Sequence, residues 1–308
     1  MTAADSRRAE TKLEAGWQLL KLTFQEWMND NTFRLAAALA FYTMFSVAPV
    51  LLIATGVASL FLARETATER ILAEVQGLVG ADGAQAVREV IEASTGFGNS
   101  VFAIAAGVVT FLLGASVVFA ELQSALNQIW DVKAVPKRGV ILQLIFDRLR
   151  SFTIALGVGF LLLVSLVVSA ALTAMQDYLN TWMPGMLIVW QGLNIVTSFL
   201  VAALLFTMIY KFLPDARIAW GDVWIGAVVT AALFTVGKYL ISLYLGQTAV
   251  ASAFGAAGSF AVLLIWIYYS ALISFFGAEF TQVYARRYGS KIRPDSHAVR
   301  VGNKPDRA

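Results

Sequence analysis

Glu279 is the one charged residue in the apolar stretch LIWIYYSALISFFGAEF, Leu264–Phe280. A carboxylate facing lipid is costly, so this side chain is expected to turn into protein and meet a partner there. The basic border of the stretch begins at Arg286, which at 1.5 Å per residue places Glu279 roughly 10 Å inside it. Arg34 and Lys211, at corresponding ends of other apolar runs, are plausible partners. Three readings stay open: a clamp between helices, an ion- or proton-handling group, and a carboxylate snorkelling to the interface. Lys238 lies about 24 Å beyond Asp222 along its own run, too far from Glu279 in depth for direct contact between straight helices. It either reaches the interface or lines an outward-open cavity attractive to an anion.

The remaining candidates for an intramembrane polar site are uncharged. Pro49 interrupts the first apolar run and frees the carbonyl of Phe45, with Tyr42, Thr43 and Ser46 beside it. This is either a packed kink or irregular backbone lining a cavity. Trp266 and Tyr269 sit in WIYYS at mid-membrane depth, where indole and hydroxyl groups need partners. With Asn194, Gln191, Tyr42 and Tyr239 they suggest a partly polar interior. Gly255 and Gly258 in AFGAAGS allow close helix packing or a flexible gate.

Other chemistry has little to work with. There is no cysteine and a single histidine, His297, so thiolate sites and a histidine metal cluster are excluded. No phosphate loop, dinucleotide fingerprint or serine-nucleophile elbow is present. No catalytic residue, metal or cofactor is assigned, and an enzyme is not expected.

These residues must be positioned by membrane helices. The chain of 308 residues is 58% hydrophobic and 14% charged, with a mean hydropathy of +0.70; soluble domains carry about 25% charge. Six runs are long enough to span a bilayer: Leu35–Leu62, Val101–Ala120, Phe152–Ala174, Leu187–Phe212, Val223–Leu245 and Phe260–Tyr284. None alternates with period two, which argues against a barrel. The fold class expected is an all-α membrane protein, a bundle of six transmembrane helices with amphipathic surface helices.

Lysine and arginine gather before the first run, after the second and fourth, and after the sixth; the loop after the first holds only Arg64, Arg70 and Arg88. The positive-inside rule therefore puts both termini in the cytoplasm. The segment before the first run lacks a signal-peptide pattern, so that run is expected to act as an uncleaved anchor. Residues 1–33 form a cytoplasmic amphipathic helix in which Leu13, Trp17, Leu20, Phe24 and Trp27 make one stripe. It lies on the membrane surface or packs on the protein's own cytoplasmic face. The membrane domain spans 34–286. It includes an external helical hairpin at 63–100, two short helices broken at GADG. After the second run, Leu122, Ala125, Leu126 and Ile129 share a face of a helix that VPKRG ends. Residues 287–308 form a basic tail expected to be disordered.

Four blocks together carry a family resemblance. They are RLAAALAFYTMFSVAPVLL, FAELQSALNQIWDV, YKFLPDARIAWGDVWIGAVVTAALFTVGKYLISLYL and SAFGAAGSFAVLLIWIYYSALISFFGAEF. In this order the chain resembles the YihY/BrkB family over about residues 15–286. The resemblance implies a six-helix protein of the bacterial cytoplasmic (inner) membrane. It also brings two labels, virulence factor and ribonuclease. The second lacks the clustered ligands or the His and Lys pairs such chemistry needs. The leading reading is transport or export of an unknown small solute or lipid. The alternative is a non-transporting envelope or interaction protein, and a ribonuclease is the least favoured. No internal repeat is visible, which weighs against transport. The expected partners are the lipid bilayer and the solute or lipid; no nucleic acid is expected, and a homo-oligomer is compatible.

Overall fold

The computed structural model describes residues 3–59, 63–95, 116–135, 187–247, 258–290, 292–295 and 298–301. It is mostly helical. In chain order the helices are α1 (Ala3–Asn29), α2 (Thr32–Ala58), α3 (Arg64–Thr95), α4 (residues 116–129), α5 (Leu187–Phe212), α6 (Trp220–Gln247) and α7 (Gly258–Arg287). Three described stretches are long and apolar enough to cross a membrane: Ile195–Phe212, Trp220–Ile241 and Phe260–Arg287. A shorter apolar stretch, Thr32–Val47, lies in α2. The run expected over Phe152–Ala174, and most of that over Val101–Ala120, lie outside the described residues.

The chain is not purely helical. Strand β1 (Val132–Ala134) pairs antiparallel with β4 (Ala298–Arg300), and β2 (Ala216–Arg217) with β3 (Arg293–Pro294). The register sets Lys133 opposite Val299 and Arg217 opposite Arg293. The tail was expected to be disordered from its charge, but backbone pairing is indifferent to side-chain composition. Residues 293–294 and 298–300 find partner strands in the segments that leave α5 and α4. Two further bonds fix them: the Val301 N–H donates to Asp131 C=O at 2.8 Å, and Asp295 N–H to Asp215 C=O at 2.9 Å.

Helices α1 and α4 end alike. Asn31 and Asp131 take left-handed backbone, with φ of 54° and 52°. Their N–H groups bond back to Met28 and Gln128. Asn and Asp tolerate this region better than other non-glycine residues, which explains both stops.

The chain divides into two compact units, 1–31 with 123–233 and 274–308, and 32–122 with 234–273. Helices α6 and α7 contribute one part to each. In the second unit, Met44 and Leu51 of α2, Leu72, Val87 and Ile91 of α3, Ile241 of α6, and Val262 and Leu263 of α7 form one core. Helix α3 is assigned as one helical run, yet Arg88 bonds Glu69, 19 residues earlier, in a 3.1 Å ion pair. A straight helix would hold them about 28 Å apart. The run therefore folds back on itself, and its two arms bring Leu72 and Val87 into the same cluster.

In the first unit, α6 and α7 interlock. A β-carbon on Gly226 would overlap Thr281, and one on Gly277 would overlap Thr230. Each glycine thus makes room for a threonine of the other helix. Both threonines are fully buried. Their hydroxyls are satisfied within their own helices, Thr230 donating to Gly226 C=O and Thr281 to Gly277 C=O, both at 2.7 Å. Small residues that let backbones approach are the usual basis of helix association in membranes.

Helix α1 departs from the stripe expected of it. Trp17 is 71%, Leu20 45% and Phe24 53% exposed, while Leu19 and Thr23 face inward. Leu19 packs with Phe280 and Val283 of α7. Trp27, the last residue of the stripe, is half-buried and meets Phe276 of α7 edge-on at 5.9 Å, so the stripe is exposed at Trp17, Leu20 and Phe24 and packed on the protein at Trp27.

Candidate functional site

Glu279 lies on α7 with no exposed surface. Gln282 and Arg286 follow on the same face, three and seven residues on. Gln282 is also fully buried. Its Nε2 donates to the Ile129 carbonyl and lies 3.2 Å from Asp131 Oδ2. The Arg286 guanidinium forms an ion pair with the same Asp131 oxygen. One carboxylate thus ties the end of α4 to the last turns of α7, and the left-handed backbone at Asp131 aims it there. Gln282 Oε1 is a buried acceptor with no hydrogen-bond partner among the described residues.

Above Glu279 on α7, the Ser274 carbonyl accepts a 2.6 Å bond from the Tyr210 hydroxyl of α5. Tyr210 Oη also lies 3.2 Å from Thr230 Oγ1. Two hydroxyl protons serve three contacts, and the shorter ones, to Ser274 and Gly226 carbonyls, use both. Tyr210 so binds α5, α6 and α7 around the turn that precedes Glu279.

Two more aspartates act beside this line. Asp215 is 3% exposed. Its carboxylate accepts from Asn127 Nδ2 at 2.8 Å and Gln123 Nε2 at 3.2 Å, and its N–H donates to Asn127 Oδ1 at 2.8 Å. Asp222, in the first turn of α6, accepts from the N–H and the hydroxyl of Ser290 at 3.0 Å. A buried carboxylate needs several donors, and neutral amides and a hydroxyl supply them here. Lys211 donates to the Ile218 carbonyl and lies 5.2 Å from the Trp220 ring centroid.

Tyr42, Ser46, Pro49, Lys238, Trp266 and Tyr269 fall in the second unit. Ser46 is buried, but its hydroxyl bonds the Thr43 carbonyl at 2.9 Å, within its own helix. Helix α2 continues through Pro49 to Ala58. Tyr42 is on the exposed side of α2. Lys238 Nζ lies 5.2 Å from the ring centroid of Tyr239, which is 62% exposed. That pair faces outward, as a cation shielded by an aromatic ring does. Trp266 and Tyr269 pack against the apolar core, and Trp266 meets Phe234 edge-on at 6.3 Å. Tyr269 crowds Gly237 of α6, where an added β-carbon would lie 3.2 Å from its ring. The side chains of Asn194 and Gln191, and Gly255, lie outside what is described.

The sequence reading therefore found Glu279 but missed its surroundings: Tyr210, Thr230, Gln282, Asp131, Asp215 and Asp222. A signal existed. Gln123, Asn127 and Asp131 recur every four residues, a polar stripe opposite the apolar face of α4. It lies within one of the blocks that carried the resemblance, and Asp215 and Asp222 lie in another. Among the described residues no group of acidic and histidine side chains could hold a metal ion.

Comparison with known proteins agrees with this membrane architecture. The profile of a family described as "Virulence factor BrkB" matches residues 23–301. A UPF0761 membrane protein of Pseudomonas aeruginosa (strain LESB58) is 29% identical over 265 residues, covering 85% of this chain and 62% of its own length. One of Rhodospirillum centenum is 27% identical over 296 residues, covering 93% and 62%. One of Halorhodospira halophila is 26% identical over 261 residues, covering 84% and 55%. The chain thus spans less than two thirds of the length of these relatives, whose names describe membrane proteins and no enzymatic activity. No solved structure matches.

Proposed function

The chain belongs to the YihY/BrkB family of membrane proteins, and from that premise we propose that it is a six-span transporter or exporter of a small solute or lipid in the cytoplasmic membrane. The single observation that carries this reading is the complete burial of Glu279 on an apolar helix. An ionisable group in such a place is expensive, and the usual return is an ion or proton pathway. Gln282 Oε1, a buried acceptor one turn further on, is where water or a passing cation would be held. Glu279 exchanges a proton or cation as the cargo moves, while Tyr210, Thr230 and Asp131 hold the surrounding helices.

The test is reconstitution into liposomes. Movement of a fluorescent phospholipid, release of a panel of trapped small solutes, and proton flux under an imposed potential are compared with protein-free vesicles. One of them is faster with protein, and Glu279→Gln, with an unchanged melting profile, removes its dependence on pH or ions. If Glu279→Gln leaves a measured flux and its pH dependence intact, the carboxylate is a clamp. If no flux exceeds that of empty vesicles, transport is overturned. The interlocked Gly226–Thr281 and Thr230–Gly277 contacts favour the second reading, a close-packed envelope protein that works by binding a partner.

A further inference from the structure

Arg217 and Arg293 stand directly opposite each other on the β2–β3 pair. Side chains opposite in an antiparallel pair share a face, with β-carbons about 5 Å apart, and like charges so placed repel. Both arginines are exposed, while Ala216, the neighbour of Arg217 in its strand, is buried, so this rung faces away from the protein. One of the two charges is answered: Asp295 accepts from Arg217 at 2.9 Å. Arg293 has no hydrogen-bond or ion-pair partner among the described residues. The other carboxylates of this corner are turned inward, Asp215 onto Asn127 and Gln123, and Asp222 onto Ser290.

The rung sits between the ends of two apolar helices. The apolar stretch of α5 ends at Phe212 and that of α6 begins at Trp220, and both are long enough to cross a membrane. The connector over residues 213–219 therefore lies at the border of lipid and water. Phe212 and Trp220 are exposed and meet edge-on, with ring centroids 5.9 Å apart; Trp224, one turn further along α6, is exposed as well. Lys211 joins this aromatic corner to the arginines. Its Nζ lies 5.2 Å from the Trp220 ring centroid and donates to the carbonyl of Ile218, the residue after Arg217. Exposed tryptophans with lysine and arginine at helix ends belong at the level of the lipid headgroups.

We propose that Arg293, Arg217 and Lys211 form a seat for the phosphate of an anionic glycerophospholipid, with Trp220 and Phe212 against the start of its acyl chains. With Arg217 answered by Asp295, the charges of Arg293 and Lys211 remain in surplus. The guanidinium of Arg293 can hold two phosphate oxygens. Lys211 keeps further N–H groups beyond the one given to Ile218. A zwitterionic headgroup would bring its ammonium into the same surplus of positive charge and fits less well. A free phosphate ion would use the cations and leave the rings in water, whereas a lipid uses both. The inference goes beyond the transport reading and holds whether or not a solute is moved.

Native mass spectrometry of the full chain in detergent, given equal amounts of phosphatidylglycerol and phosphatidylethanolamine, reads the preference. The protein retains phosphatidylglycerol several-fold over phosphatidylethanolamine. Arg293→Gln, at an exposed side chain, keeps the lipid-free melting temperature and loses most of that preference; Arg293→Lys, which keeps the charge, retains part of it. Arg70→Gln, at an exposed position of α3, leaves it unchanged. Equal retention of the two lipids by the wild type overturns the proposal, as does an undiminished preference in Arg293→Gln. An equal loss in Arg70→Gln would show general charge attraction in place of a seat. Inorganic phosphate, against sodium chloride of matched ionic strength, leaves the preference in place. If phosphate abolishes it and raises the melting temperature by itself, the seat takes a free anion and the lipid assignment is overturned.

Discussion

Thr230 fills the space that a β-carbon on Gly277 would need. The relation is reciprocal, because Thr281 stands over Gly226 in the same way; Glu279, two residues from both Gly277 and Thr281, is on the other side of α7. At the two glycine–threonine contacts the helices are keyed together by shape, and the hydroxyls, bonded within their own turns, add no polar cost.

Gly277→Ala should therefore destabilise the protein by about 1–3 kcal/mol, the usual penalty of overfilling a packed core. Thr230→Gly combined with Gly277→Ala moves the bulk to the other helix and should recover part of that loss. It will not recover all of it, since a glycine inside a helix itself costs about 1 kcal/mol. Melting of the purified variants in detergent measures both.

Asp215 receives donors from Asn127 and Gln123. Asp215→Asn sets an amide donor against amide donors unless it turns its one oxygen to them. It should cost about 1–3 kcal/mol, the price of a buried group left unsatisfied. Asn127→Asp, which brings a second carboxylate to the site, should be worse. Thermal stability by size-exclusion of a fluorescent fusion ranks the pair.

Asp131 combines left-handed backbone with an ion pair to Arg286. Asp131→Asn keeps the backbone tolerance and an acceptor but loses the charge. Asp131→Ala loses the acceptor and adds about 1–2 kcal/mol of backbone strain. The order of melting temperatures should be wild type, then Asp131→Asn, then Asp131→Ala. Equal melting of the two variants would show that the backbone conformation contributes nothing.

The topology proposed from the lysine and arginine distribution has a direct test. With cysteines placed singly at Asp82 and Lys137, an impermeant thiol reagent applied to intact cells should label the first and spare the second. The reverse pattern would invert both termini.

Hydropathy and charge, properties of local windows, were enough to identify a membrane-type helical chain, to mark the three apolar helices described here, and to single out Glu279. They act through transfer from water to lipid, which each segment undergoes largely by itself. What met Glu279's helix was decided only in three dimensions. The partners of Gln282 and Arg286 lie 151 to 155 residues earlier, and no window reaches that far. The same holds for the tail. Its charge read as disorder, yet strands at 132–134 and 216–217 supplied partners that its own composition could not reveal. The stripe of α1 was plain as a pattern, but periodicity states only that one face differs from the rest. That Trp17, Leu20 and Phe24 are exposed while Trp27 meets Phe276 was decided by the packing of α1 on α7, because burial is a property of the assembled chain.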